Sequence, residues 1–200
     1  MAIDLARRSF APEKLKAIWR EQGAGGLWKI IRAALGGTNA AMAARFRALG
    51  ELPEGTFGRA LFEFYRGNGF ACPGEKYGAP DNMLFHDIGH VLAGYPTDPA
   101  GETQTAGFQT GYLGEAGFFM TQFIMLQFHL GANIRPGVEA TRGAFDIESY
   151  HRAYLRGRAL TVNLLHWDPW PHMPRPLEEV RAELGSRRAR ADILAASRGP

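Results

Sequence analysis

Two hundred residues, 46% hydrophobic and 22% charged, fit one soluble globular domain able to bury a core without cross-links. The lone cysteine, Cys72, excludes an internal disulfide and a thiolate metal site, and it fits a reducing compartment such as a bacterial cytoplasm. A net charge of +3 is too small to argue for a nucleic-acid partner, and residues 1–10 lack the apolar run of a signal peptide.

Residues 11–22 read as a helix, with Pro12 near its start and Leu15, Ile18 and Trp19 at i, i+3, i+4. Gly23 to Gly26 should break it. A second short helix is expected over Leu27 to Leu35, with Leu27, Ile30, Ile31 and Leu35 on one stripe. Basic residues flank this region (Arg7, Arg8, Lys14, Lys16, Arg20) and recur in the tail (Arg187, Arg188, Arg190). Two such helices suit capping a core, the default, or lying on an anionic membrane surface. A third helix over Thr38 to Leu49 has Thr38 or Asn39 as its cap and Gly50 as its stop. Thr56 caps a fourth, whose face of Leu61, Phe62, Phe64 and Tyr65 ends at Gly67-Asn68-Gly69. Glycines and prolines over 69–82 predict a loop.

The next helix, from Asp81 or Asn82 to Ala93 with Gly94 as its stop, carries His86-Asp87-Ile88-Gly89-His90. At 3.6 residues per turn, His86 and His90 sit roughly 40° apart on one face, with Asp87 at its edge. After a loop over Tyr95 to Gly101, Glu102 opens the following helix, one loop from both histidines. Two imidazoles at i, i+4 and a following carboxylate are a metal-ligand pattern. Burying these groups without an ion or a pairing would be costly. Nitrogen and oxygen donors suit zinc first, with iron(II), manganese or magnesium as alternatives.

Glu102 to Leu130 is the most apolar stretch, rich in Phe, Met and Leu but interrupted by Gln109, Glu115, Gln122, Gln127 and His129. A bilayer span needs about 20 mostly apolar residues with few or no charges, so a long buried central helix is expected instead. Gly107, Gly111, Gly114 and Gly117 recur on one side. Such a stripe either packs closely against a neighbouring helix or leaves a groove for a flat apolar ligand. Beyond the loop at Arg135-Pro136-Gly137, Asp146 to about Leu164 reads as helix. Tyr150, Tyr154, Leu155 and Ala159 should face inward, and Arg152, Arg156 and Arg158 outward. Asp168 to Pro171 breaks the chain, and Leu177 to Leu184 forms a last short helix. Strand-like alternation is scarce. The expected fold is an all-α single domain, with a core over 38–185, amphipathic helices over 1–37 and a tail over 186–200.

Other chemistry is thin. Glycines 23–26 follow no strand and lack dinucleotide spacing. Cys72, beside Pro73, reads as structural. Glu115 and His129 read as satisfied buried polar groups, although a Glu115 aimed at the metal could act as a base. His151, His166 and His172 read as surface or turn residues.

The motif His86-Asp87-x-x-His90 with eleven residues to Glu102 resembles the metal signature of the ubiquinone-biosynthesis Coq4 family. Residues 52–59 (LPEGTFGR), 153–159 (AYLRGRA) and 177–185 (LEEVRAELG) resemble that family's flanking segments, in order. Two departures stand out: Asp81 to Phe85 lacks basic residues before the motif, and Phe118 to Phe128 is unusually aromatic. The resemblance implies a peripheral inner-membrane protein that handles a polyprenylated quinone precursor or another isoprenoid lipid. It further implies oxidative decarboxylation at ring C1, with His86, Asp87, His90 and Glu102 as metal-binding and catalytic residues. Other quinone-biosynthesis enzymes, and a second copy in a homodimer, are the implied protein partners. A non-catalytic lipid-presenting scaffold is the alternative. A phosphohydrolase built on a His-Asp pair ranks last, because no histidine precedes His86.

Overall fold

The computed structural model describes residues 16, 19–32, 35–134 and 138–185. Most of the sequence before Trp19 and the whole expected tail over 186–200 lie outside the described residues. The described chain is all-helical, with no strand and two isolated bridges, Thr56 to Pro176 and Leu130 to Arg142.

Residues 19–32 are helical (α1). The expected break over Gly23 to Gly26 narrows to one left-handed residue, Gly23, at φ 67°. Then come α2 (Ala40–Arg47), α3 (Phe57–Gly67) and α4 (Leu84–Ala93). Asn39 caps α2 by accepting from Met42 N, and Thr56 caps α3 by accepting from Arg59 N. A single 3-10 turn, Asp81–Met83, leads into α4, and Gly94 ends it at φ 75°. These boundaries follow from local capping chemistry, so the sequence announces them.

The long central helix does not form. The stretch divides into α5 (Pro99–Leu113) and α6 (Glu115–Ile124), joined at Gly114, whose φ of 61° and ψ of −128° suit glycine. The two run back along each other, with Thr110 Oγ1 2.9 Å from Thr121 Oγ1. A Cβ on Gly117 would lie 2.4 Å from Thr110 Cα. A wide π turn, Met125–His129, continues α6 and brings in the fully buried Gln127, which donates to the Val138 carbonyl and accepts from Ile134 N.

Helix α7 (Ile147–Arg158) stops short of the expected Leu164, and the Thr161 amide bonds to the Leu184 carbonyl at the end of α8 (Leu177–Glu183). The glycine stripe is filled by packing. A Cβ on Gly107 would meet the Tyr150 carbonyl at 2.7 Å, one on Gly111 the Tyr154 carbonyl at 2.4 Å, and one on Gly157 the Phe108 carbonyl at 1.9 Å. Close approach of α5 and α7, not a lipid groove, is the use of Gly107 and Gly111. Leu155 and Ala159, expected inward, are exposed. The main core joins Phe46, Phe57, Leu61, Tyr65, Leu92 and Phe108 with Val180 and Leu184. Full burial of such a side chain contributes about 1.5–3 kcal/mol.

Candidate metal centre

Helix α4 presents two faces. At about 100° per residue, Leu84, Phe85 and Ile88 point almost opposite to His86 and His90. Leu84 and Ile88 join the core, while His86 and His90 face the start of α5. Asp98 caps α5 by accepting from Gly101 N, and Pro99 begins it. This places Glu102 in the first turn, where a carboxylate is favoured by the helix dipole. Glu102 Oε2 is 3.5 Å from His86 Nε2, and Oε1 is 3.5 Å from His90 Nε2. One ligand atom from each of the three residues falls within 4.8 Å of the others.

Each imidazole is held through its other nitrogen. His90 Nδ1 lies 3.1 Å from the Tyr95 carbonyl and 3.1 Å from Thr105 Oγ1. A carbonyl can only accept, so the Nδ1 proton points there and Nε2 keeps its lone pair. That Nε2 is buried and has no hydrogen-bond partner. A buried polar atom without a partner is costly, and a divalent ion accepts such a lone pair. His86 Nδ1 lies 2.9 Å from Gln109 Nε2, and turning that amide end for end puts its buried, unpartnered Oε1 there to accept the Nδ1 proton and leaves His86 Nε2 free for an ion; the ring of Phe64 stacks on His90 at 5.5 Å. Glu102, Thr105 and Gln109 recur at i, i+3, i+7 on α5, so one helix face supplies a ligand and both orienting groups. That polar spacing inside an apolar stretch was the available signal for Thr105 and Gln109, and sequence reasoning passed over it.

Without an ion, Glu102 and His86 compensate each other. Burial alone would lower the His86 pKa, but the hydrogen bond and charge of Glu102, with Asp87 behind, lift it to about 9. Burial alone would raise Glu102, but the hydrogen bond and charge of His86 bring it down to about 2.

The structure brings three of the four expected residues together. Asp87 is engaged elsewhere: its carboxylate accepts a hydrogen bond from the buried Tyr65 hydroxyl. Burial and the Asp87 charge raise the Tyr65 pKa far above its usual value, so the phenol stays protonated and donates. Glu115 is exposed in the first turn of α6 and is neither a buried polar group nor a base at this centre. His129 is half-buried and accepts from Phe145 N at 3.3 Å. Cys72 is buried and structural.

Two arginines fix the far end of α4. Arg181 donates to the carbonyls of Val91 and Leu92 at 2.6 and 3.0 Å. Arg156 donates to Ala93 O at 2.9 Å and to the Tyr95 hydroxyl at 2.8 Å. Arg156 is therefore a cap, not an outward-facing residue. Both sit where a helix C-terminus leaves carbonyls unbonded and favours positive charge. A cavity of about 310 Å³ lies against the other face of α4, between Leu84, Phe85 and Ile88 and the Trp167–Trp170 loop.

No protein-family model matches the sequence, and no curated protein matches it. Among solved structures, the fold is similar to that of a candidate ubiquinone biosynthesis protein from Nostoc punctiforme. The TM-score is 0.50 at 19% identity, over 89% of this chain and 82% of that one. At this identity the likeness speaks for a common fold.

Proposed function

We propose that this chain is a metal-dependent enzyme of ubiquinone biosynthesis, acting at ring C1 of a polyprenylated hydroxybenzoate-type precursor. The carboxylate leaves as carbon dioxide and a hydroxyl takes its place; with dioxygen as the external oxidant, one oxygen atom enters the hydroxyl and the other leaves as water, using two electrons and two protons from an external reductant. The buried, unpartnered His90 Nε2, aimed at Glu102 and beside His86, carries the reading. The pattern's resemblance to the Coq4 signature, and a fold similar to that of the Nostoc protein, support the pathway.

His86, His90 and Glu102 would hold the ion, and their donor set suits zinc, iron(II) or manganese. A bound divalent ion would supply Lewis-acid stabilisation of charge on the substrate's carboxylate or phenolate. The chain's own groups do the positioning. The Tyr95 carbonyl and Thr105 orient His90, Gln109 orients His86, and Asp87, bonded to Tyr65, adds negative charge beside His86. Phe64 covers one face of His90 against water. The side chains of His86 and Glu102 keep 22% and 18% exposure, which favours an enzyme over a structural ion in a lipid-presenting scaffold, because structural sites are closed.

The test is turnover by the metal-loaded full chain of a prenylated hydroxybenzoate labelled at the carboxyl carbon. Release of labelled carbon dioxide, lost on His90→Ala and Glu102→Gln, supports the enzyme. Full metal occupancy with tight isoprenoid binding and no release assigns the scaffold role.

A further inference from the structure

The cavity of about 310 Å³ against the far face of α4 plays no part in the metal chemistry. Its lining changes with depth. Leu84, Ile88 and Leu164 are buried and form an apolar floor. Lys29, His166 and Asp168 are exposed and belong to the rim. A concave space of this kind, apolar inside with a few polar groups at its edge, is the usual form of a small-molecule site. At the small end of the range for such sites, it suits a single-ring molecule, and its charged rim suits a charged or polar group on that ring.

Three aromatic side chains, Phe85, Trp167 and Trp170, complete the walls. Both tryptophans are held by neighbours. The Trp167 ring lies 6.1 Å from that of Phe57 and 4.8 Å from that of His172. Trp170 carries the Arg45 guanidinium 3.8 Å from its ring centre, so this indole already serves as a platform for a cation. Rings fixed before a ligand arrives lose little freedom when it binds. Helix α1 is tied to the same rim: Asn82 Nδ2 donates to the Gly26 carbonyl at 3.1 Å, and Lys29 pairs with Asp81 at 2.9 Å.

The charge of the rim selects the ligand. Lys29 is matched by Asp81. Asp168 accepts from Trp170 N at 3.1 Å, which fixes its carboxylate, and it has no ion-pair partner among the described residues. The lining acids and lysine therefore leave one negative charge unmatched, beside three aromatic rings. A carboxylate and the face of an indole both attract a cation, and the carboxylate repels an anion.

We propose that this cavity binds a small arylalkylammonium ion, its ring over the apolar floor among Phe85, Trp167 and Trp170 and its ammonium on the Asp168 carboxylate. The site lies across α4 from the metal centre and requires neither the ion nor the chemistry proposed above. The test is calorimetric titration of the full chain with phenethylammonium, with phenylpropionate and phenylethanol as its anionic and neutral counterparts, in wild type and in folded His90→Ala. About one equivalent of phenethylammonium should bind both proteins alike. In His90→Ala, where no metal can capture a carboxylate, it should bind at least tenfold tighter than either counterpart. Asp168→Asn keeps the acceptor for Trp170 N and removes the charge, and should weaken phenethylammonium by about fivefold, the effect of one partly exposed ion pair. Absent phenethylammonium binding, equal affinity for the three probes, or an Asp168→Asn protein that binds as tightly as wild type overturns the proposal. So does binding lost in folded His90→Ala, because the probe would then sit at the metal centre.

Discussion

Gly157 is where α7 touches the backbone of α5, and Gly157→Ala should be among the most damaging single-methyl changes in the molecule. The added Cβ would sit 1.9 Å from the Phe108 carbonyl oxygen and 2.8 Å from its carbon, whereas real Cβ contacts lie beyond 3.0 Å. Both neighbours are main chain, so no side chain can rotate away, and the helices must part locally by about 1 Å. Overpacking costs about 1–3 kcal/mol, and a backbone obstacle belongs at the upper end. For a chain of this size that lowers the unfolding midpoint by about 6–12 °C, at roughly 2–4 °C per kcal/mol. Gly67→Ala is the control. It lies in α3 with nothing within 4 Å of its Cβ, and should stabilise by about 0.5–1 kcal/mol through helix propensity. Thermal unfolding reads both. Because α5 carries Glu102, Thr105 and Gln109, the Gly157→Ala variant should also take up metal more weakly. A Gly157→Ala protein that melts at or above the wild-type midpoint would refute the reasoning.

Gln109→Leu removes the group orienting His86, and should weaken metal affinity by roughly 10–100-fold in a chelator competition while leaving the fold intact. Arg181→Ala strips the partners from the Val91 and Leu92 carbonyls, and should cost about 1–3 kcal/mol in urea unfolding. The pH dependence of the metal-free protein follows from its paired groups. The raised His86 pKa contributes stability that is full below the unfolded value of 6.5 and is lost as pH rises through about 9. The lowered Glu102 pKa contributes stability that is present above 4.5 and lost as pH falls through about 2. Metal-free urea midpoints should therefore peak between 4.5 and 6.5, and a profile that climbs steadily from 6.5 to 9 contradicts the pairing.

What could be read from the sequence was local. The caps Asn39 and Thr56, the stop at Gly94 and the His86–His90 face each depend on neighbours within a turn, and the all-α class followed from them. The α5–α6 hairpin was not legible, because apolar residues on both sides of Gly114 look the same whether the chain runs straight or turns back. Gly114 stands in a row with Gly107, Gly111 and Gly117, and only its backbone angles distinguish it as the bend. Arg156 and Arg181 cap α4 from 63 to 90 residues away, a relation that no sequence window contains. Asp87 shares the helix edge with the histidines as spacing suggests, but Tyr65, 22 residues earlier, claims its carboxylate. The period over Leu27, Ile30, Ile31 and Leu35 was visible in the sequence; that Leu27 and Ile30 are half-buried while Trp28, Ile31 and Leu35 stay exposed is a tertiary fact.

The most direct measurement is the metal content of full-length protein purified without added metal, by elemental mass spectrometry, for wild type, His90→Ala and Asp87→Asn. Three ligands on α4 and α5, with Asp87 held by Tyr65, predict about one equivalent of a divalent ion in wild type and in Asp87→Asn, and essentially none in folded His90→Ala. Folded wild-type protein that holds no ion even after incubation with zinc, iron(II) or manganese, or a His90→Ala protein that keeps its full equivalent, would contradict the metal centre.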